Sequence, residues 1–209
     1  MKTQIVKLLL TAILPLTLIS CRVVNGDVTA LMRPPRPPGE YYEIQKALEK
    51  YVKATVYLKY PKSGDNRSAF IVRDLDGDGV KNEAIAFYSL VADGSTLHMN
   101  IIGKDVSDWN SLADIDLKAS DIERADFADM TGQGCENIVV GLKMFTSLAR
   151  QIRVLSFQGR KLTESLAENY TEYALADLDG DSLKELLLVS LNTAEPATSI
   201  ARMVKLNGT

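Results

Sequence analysis

The sequence predicts a mainly β protein made of three antiparallel, propeller-blade-like units that follow one short N-terminal helix. Short apolar or alternating runs, rich in β-branched and aromatic residues, fill the chain after residue 55 and are separated by turn residues. An acidic loop recurs at Asp74, Asp129 and Asp177, a spacing of about 50 residues that suits blade-like repeats. Only residues 40–54 show clear helical periodicity. Because a closed ring usually needs about four to eight blades, we expect a partial or open β-propeller.

The N-terminus predicts a signal peptide over residues 1–20. Lys2 and Lys7 flank the start of an apolar stretch, residues 8–19, which is shorter than the roughly 20 residues needed to span a bilayer. The stretch ends in LISC, which resembles the lipobox of bacterial lipoproteins and implies cleavage before Cys21 and diacylation (palmitate) of its thiol. We therefore expect a lipid anchor on the extracytoplasmic face of the cell membrane. The alternative is an ordinary secretory signal with an incidental cysteine.

Charge and cysteine content narrow the classes of partner. The chain has 24 basic and 27 acidic side chains, and loss of residues 1–20 removes two lysines and no acids. An acidic mature chain disfavours nucleic acid, because phosphate binding needs basic patches. The chain has two cysteines, so lipidation of Cys21 leaves Cys135 without a partner and no intrachain disulfide is expected.

Two segments precede the β region. Residues 21–39 carry the lipidated cysteine and the stretch RPPRPPG, which cannot form a helix or a central strand and is predicted to be a semi-rigid tether. Residues 40–54 are predicted to form a helix, and the repeat domain is expected to occupy residues 40–209. The apolar face of that helix is formed by Ile44, Ala47, Leu48, Tyr51 and Val52.

The β region is predicted to begin with a strand over residues 55–60 and to continue with three repeats of one pattern. In each repeat a strand enters the acidic loop, a second strand leaves it, and a third returns after a turn, as in an antiparallel meander. The predicted strands are 69–73, 83–91 and 96–102 in the first repeat, 125–128, 137–145 and 151–157 in the second, and 173–176, 185–191 and 200–206 in the third. Residues 186–191 could pass for a helix by composition, but their short length after a loop favours a buried strand.

The first and third loops have the composition of a calcium site. Ca²⁺ takes about six to eight oxygen ligands, and a glycine-containing loop can present carboxylates and carbonyls from alternate positions. The predicted ligands of the first loop are Asp74, Asp76, Asp78, the carbonyl of Val80, and Asn82, with Glu83 as a rival to Asn82. The predicted ligands of the third loop are Asp177, Asp179, Asp181, the carbonyl of Leu183, and Glu185. The alternative for each loop is a solvated turn, where Asp and Gly are common without metal.

These loops are not EF-hands, which need a bidentate Glu at the loop end and a following helix. Here Ile85 and Leu188 occupy that position, each inside a predicted strand. A DLDGDG loop that enters a strand resembles the calcium loop of FG-GAP and VCBS repeats, found in integrin-like β-propellers. The layout of lipobox, tether, helix and repeats resembles bacterial lipoproteins that carry such repeats. The resemblance covers the chain from about residue 40 onward and implies structural Ca²⁺.

Two departures from this pattern matter. The middle loop has Thr131, Gln133 and Asn137 where acids are expected, so Asp129 is predicted to cap its own backbone there without metal. The third loop has Ser182 where glycine normally lies, which costs on the order of 1 kcal/mol if the position needs a positive φ.

No catalytic group stands out in the sequence. His98, the single histidine, lies in an alternating run typical of a strand, Cys135 is flanked by an acid, and Trp109 fits packing better than sugar stacking. The predicted function is a lipid-anchored, calcium-stabilised cell-surface module that binds an envelope protein or polysaccharide, or scaffolds a complex, with self-association as a further option. The alternative is an envelope enzyme that cleaves glycosides with paired carboxylates.

Overall fold

The protein is mainly β, with one helix and several antiparallel sheets, none of them closed on itself. The computed structural model describes residues 39–209 except 91, 93, 95, 147–149, 193–197 and 207–209. The predicted signal peptide, Cys21 and the proline-rich tether lie outside this part. Within it, no helix has the length and apolar character needed to cross a membrane. The elements are α1 (Gly39–Val52), β1 (Val56–Lys59), β2 (Phe70–Arg73), β3 (Glu83–Leu90), β4 (Leu97–Asp105), β5 (Asp108–Asp116), β6 (Asp121–Ala128), β7 (Asn137–Lys143), β8 (Arg150–Gln158), β9 (Lys161–Tyr170), β10 (Glu172–Ala176), β11 (Glu185–Asn192) and β12 (Thr198–Val204).

Helix α1 lies close to the predicted range. Its buried residues are Ile44, Ala47 and Leu48, all on the predicted apolar face. Tyr51, which the periodicity assigns to the same face, is 51% exposed. The helix ends where Lys53 takes a left-handed conformation (φ 55°), and the N–H of Lys53 still donates to the Glu49 carbonyl at 3.0 Å.

The strands form three antiparallel meanders. In the first sheet, β2 and β1 share one edge of β3, pairing with residues 83–86 and 87–90, and β4 and β5 follow on the other side. The second sheet has the order β6-β7-β8-β9, and the third has the order β10-β11-β12. Each sheet therefore contains the predicted strand, loop, strand and returning strand.

The outer strands β5 and β9 were not predicted. Their sequences, DWNSLADID and KLTESLAENY, are polar at most positions, and most of their side chains are partly or fully exposed. An edge strand can be held by its backbone ladder alone, so it needs no apolar run. The bounds of two predicted third strands are also shifted. The strand predicted over 96–102 is β4, which continues to Asp105, and the strand predicted over 200–206 is β12, which runs from Thr198 to Val204.

The layers stack in the order helix, first sheet, second sheet, third sheet. In every sheet, the second residue of the strand after the acidic loop points toward the preceding layer. In β3, Ala84 packs in the cluster with α1, whereas the next residue, Ile85, packs in the cluster with the second sheet. In β7, Ile138 packs toward the first sheet and Val139 toward the third. Leu186 of β11 packs back toward the second sheet. Alternation along a strand explains this, because neighbouring side chains point to opposite faces.

The outer face of the third sheet is apolar and partly exposed. Leu187 and Val189 alternate with the buried Leu186 and Leu188, and they pair across the ladder with Met203 and Ala201. Met203 is 50% exposed. The corresponding outer face of the first sheet is covered by α1.

Candidate metal sites in the acidic loops

The three acidic loops share one backbone frame. They are the first loop (residues 74–82), the middle loop (129–136) and the third loop (177–184), and each joins the first strand of its sheet to the second. In each, the leading aspartate accepts backbone N–H groups three and five residues ahead. The donors are Gly77 (2.8 Å) and Gly79 (2.9 Å) to Asp74, Gly132 (2.8 Å) and Gly134 (2.8 Å) to Asp129, and Gly180 (2.7 Å) and Ser182 (3.0 Å) to Asp177.

The second of these donor positions requires a left-handed backbone. Its φ is 86° at Gly79, 77° at Gly134 and 72° at Ser182. An L-residue in this region costs on the order of 1 kcal/mol relative to glycine. The third loop therefore carries the strain expected for a serine at this position.

A buried polar side chain at the start of the second strand completes the frame. Glu83, Asn137 and Glu185 are 3%, 3% and 0% exposed. Each accepts the N–H of the residue after the leading aspartate, from Leu75 (2.9 Å), Met130 (3.0 Å) and Leu178 (2.8 Å), respectively. The first loop is one residue longer than the other two, so Glu83, the rival to Asn82, takes the place that Glu185 takes in the third loop.

The first loop gathers three carboxylates at its open side. Ligand atoms of Asp74, Asp76 and Asp78 lie within 4.8 Å of one another, so the cluster could hold a metal ion. Burial raises the pKa of Glu83, the Leu75 N–H opposes this, and the three aspartates raise the pKa further. A concentration of negative charge that shifts a neighbouring carboxyl in this way is relieved by a cation.

Asn82 lies against the same carboxylate cluster. One terminal atom of its side-chain amide is 2.7 and 3.2 Å from the two carboxylate oxygens of Glu83 and 3.0 Å from the Val80 carbonyl oxygen. Without a cation, nitrogen is the favourable atom there, because it donates to all three oxygens. A cation at this point would instead favour the amide oxygen.

The carboxylates of the third loop are paired with a lysine from outside the loop. Ligand atoms of Asp177, Asp179 and Glu185 lie within 4.8 Å of one another, and this cluster too could hold a metal ion. The ammonium of Lys205, just after β12, is 2.6 Å from Asp179 Oδ2 and also pairs with Asp181. It lowers the pKa of Asp181, with the Leu183 N–H as a further donor to that carboxylate. Sequence reasoning missed Lys205, since nothing in its local sequence places it beside the loop.

In the middle loop the carboxylate of Asp129 accepts several backbone N–H groups. Partial burial alone would raise the pKa of Asp129, but the N–H groups of Gly134, Thr131, Gly132 and Gln133 outweigh it and lower that pKa. Asn137, in place of a glutamate, donates to Ser156 Oγ at 2.7 Å. Among the described residues, no acidic cluster forms at this loop. These contacts agree with the predicted self-capping role of Asp129.

The loops touch one another in a row. The Cys135 thiol of the middle loop donates to the Asp76 carbonyl at 3.3 Å, and a Cβ on Gly77 would lie 2.9 Å from that sulfur. On its other side, the Lys184 N–H of the third loop donates to the Asp129 carbonyl at 3.3 Å. Burial raises the pKa of Cys135, and nearby aspartates add to the rise, so the thiol stays protonated at neutral pH.

The residues considered for catalysis lie elsewhere, on the first sheet. Trp109 is 7% exposed and packs in the cluster beneath α1. His98 stacks on Tyr88, with ring centroids 5.0 Å apart, and its Nδ1 is 3.6 Å from Asp114 Oδ1. Asp114 also accepts from the Tyr88 hydroxyl (2.7 Å) and from Asn100 (2.9 Å), which links three strands.

A cleft of about 380 Å³ lies beside the first loop, between β4, β5 and the turn after β8. Its charged lining residues are Asp76, Glu83, Lys104, Asp105 and Arg160. Glu83 belongs to the loop frame, and Asp76 belongs to the carboxylate cluster of the first loop.

Searches against protein-family models, curated protein sequences and solved structures found no match for this chain.

Proposed function

We propose that this protein is a lipid-anchored, calcium-stabilised binding or scaffold module of the bacterial cell surface. The observation that carries the calcium part is the carboxylate cluster of the first loop, which has three aspartates within ligand distance and a buried glutamate behind them. The ion would hold the loop between β2 and β3 and, through the contact of Asp76 with Cys135, the middle loop as well.

Calcium fits this donor set better than other common metals. The loop offers carboxylate, amide and carbonyl oxygens but no imidazole, and oxygen-only sites of this kind suit Ca²⁺, Mg²⁺ or Mn²⁺. The candidate ligands come from one irregular loop and the first residue of β3. Ca²⁺ tolerates such geometry, whereas Mg²⁺ demands near-ideal coordination and keeps its waters. The ion's role would be structural, since the aspartates serve the loop.

Binding fits the structure better than glycoside cleavage. A general acid must keep a protonatable carboxyl facing a substrate, but Glu83 in the cleft is tied to the Leu75 N–H. Glu185 and Asn137 make the same contact in the other loops, and Asn137 cannot donate or accept a proton as an acid does. The contact recurs in all three loops, which supports a structural role for Glu83.

The open face of the third sheet supports a role in assembly. Leu187, Val189, Leu191 and Met203 form an apolar surface of the same kind as those buried between the sheets. Because α1 covers the outer face of the first sheet in every copy, the matching apolar face of a second copy is its own third sheet. Two copies would then meet face to face about a two-fold axis.

Titration calorimetry with CaCl₂ on the full chain tests the calcium part. The protein should bind Ca²⁺, and Asp74→Asn should abolish binding at the first loop, because Asp74 offers a ligand and also orders the loop backbone. Asp65→Asn makes the same charge change at an exposed position outside the loops and serves as the control. Equal binding by both variants would refute the first loop as the site.

A further inference from the structure

The buried polar residue of each loop, Glu83, Asn137 or Glu185, faces a different residue on the neighbouring strand. Opposite Glu83 in the first sheet is Gly103, which has no side chain. One position beyond the paired residues Ile138 and Leu155 of the second sheet, Asn137 meets the Ser156 hydroxyl. One position beyond the paired Leu186 and Val204 of the third sheet, Glu185 meets Lys205.

The ammonium of Lys205 lies beside Asp179 and Glu185, two members of the cluster that could hold a metal ion. Its Nζ is 2.6 Å from Asp179 Oδ2, also pairs with Asp181, and lies 3.9 Å from Glu185 Oε1. Glu185 is fully buried, and its Oε1 accepts no hydrogen bond from the described residues although it points into the cluster. A buried carboxylate oxygen without a donor is costly unless a positive charge lies nearby. The ammonium supplies that charge at a distance too long for a hydrogen bond, whereas a metal ion could contact the oxygen directly.

The first loop has no lysine placed across the ladder as Lys205 is. Among the described residues, no lysine or arginine forms an ion pair with Asp74, Asp76 or Asp78. At the cross-strand position, a Cβ added to Gly103 would lie 2.3 Å from Leu112 Cδ1, so a longer side chain would displace the neighbouring strand's leucine. In the part of the chain that the structure describes, the first loop therefore has no counterpart of Lys205 at its cross-strand position.

We infer that Lys205 is an intramolecular cation of the third loop, which it balances in the absence of metal and must leave before Ca²⁺ binds there. This inference rests on the proposed calcium function and deepens it. The two acidic loops then differ in affinity although their aspartates are the same, since Ca²⁺ at the third loop must displace a bound ammonium. The first loop fills at low calcium concentration, and the third fills only when calcium is high.

Calcium titration of four variants isolates the third loop. Each carries Asp76→Asn, which weakens the first loop, and position 205 is Lys, Met or Arg. The fourth variant retains Lys205 and carries Lys184→Met, which removes the same charge from an exposed residue of the same loop. We expect Lys205→Met to tighten calcium binding at the third loop by about tenfold or more. Lys205→Arg and Lys184→Met should stay within about twofold of the parent.

A second measurement addresses the metal-free state. In excess chelator, Lys205→Met should lower the melting temperature by a few degrees, because Asp179, Asp181 and Glu185 then repel one another without a cation. Lys184→Met should change it by less than about one degree. This readout does not depend on calcium binding.

The outcomes separate the inference from the function on which it rests. If the parent chain with an intact first loop binds Ca²⁺ but Lys205→Met leaves the third-loop affinity and the metal-free melting temperature unchanged, the inference is wrong and the proposed function stands. If no variant binds Ca²⁺ but Lys205→Met still lowers the metal-free melting temperature, the calcium function is wrong and Lys205 is a structural cation only.

Discussion

Calcium should raise the thermal stability of this protein, and the size of the effect can be worked out from the loops. An ion that binds only the folded state stabilises it by RT ln(1 + [Ca²⁺]/Kd). Extracellular calcium modules commonly have Kd values of about 0.1–1 mM, so about 2 mM Ca²⁺ contributes roughly 0.6–1.8 kcal/mol per site. For a domain of this size each kcal/mol moves the melting temperature by about 2–4 °C. The first loop alone should therefore give a rise of about 1–7 °C.

Differential scanning calorimetry can test this value with three matched conditions: excess chelator, about 2 mM CaCl₂ and about 2 mM MgCl₂. Asp76→Asn should remove most of the calcium-dependent rise, since it removes one of the three clustered carboxylates of the first loop. Thr131→Ala, in the middle loop, should keep the rise, because no acidic cluster forms there among the described residues. It loses only a weak contact to Asp129 at 3.4 Å. Melting curves that superimpose in chelator and calcium would refute the reasoning, as would an equal rise with Mg²⁺.

Three further outcomes are expected. Ser182→Gly should stabilise the protein by about 1 kcal/mol, measured by chemical denaturation, because it relieves a left-handed serine (φ 72°); a destabilised variant would show that the side chain makes a contact of greater value. Asp129→Asn should cost on the order of 1 kcal/mol at neutral pH, since the folded pKa of Asp129 is lowered and its stabilisation is present above the unfolded value of about 3.9. That difference should shrink as the pH falls through the folded pKa, and a pH-independent difference from pH 7 to pH 3 would contradict the assignment. Cys21→Ser should release the protein from the membrane fraction or stall its processing in cell fractionation, and a variant that stays bound and processed would rule out the lipid anchor.

The sequence alone determined the parts of the fold that depend on local chemistry. The continuous apolar runs of β3 and β7 predict buried strands, because a central strand that is covered on both faces carries apolar side chains at successive positions. The spacing of Asp and Gly in the acidic loops predicts their turns, because an aspartate that accepts N–H groups three and five residues ahead forms a self-contained frame. The apolar face of residues 40–54 predicts α1, because helical periodicity can be seen within one short segment of sequence.

Tertiary structure decided the features that depend on register and on distant residues. Strands β5 and β9 follow from the edges offered by β4 and β8, so their polar sequences carry little sign of them. The one-residue difference in length between the loops is visible in the sequence, but only the hydrogen bond from Leu75 shows that Glu83 and not Asn82 matches Glu185.

Tertiary structure also decided which lysine pairs with the third loop and in what order the sheets stack. Lys205 lies 20 residues or more from the aspartates with which it pairs, and only the β11–β12 register brings it beside Glu185. The order of the layers and the open face of the third sheet likewise arise from packing between whole sheets. A sequence specifies short-range geometry through each residue's own conformational preferences, whereas contacts between distant segments are selected by the free energy of the complete fold.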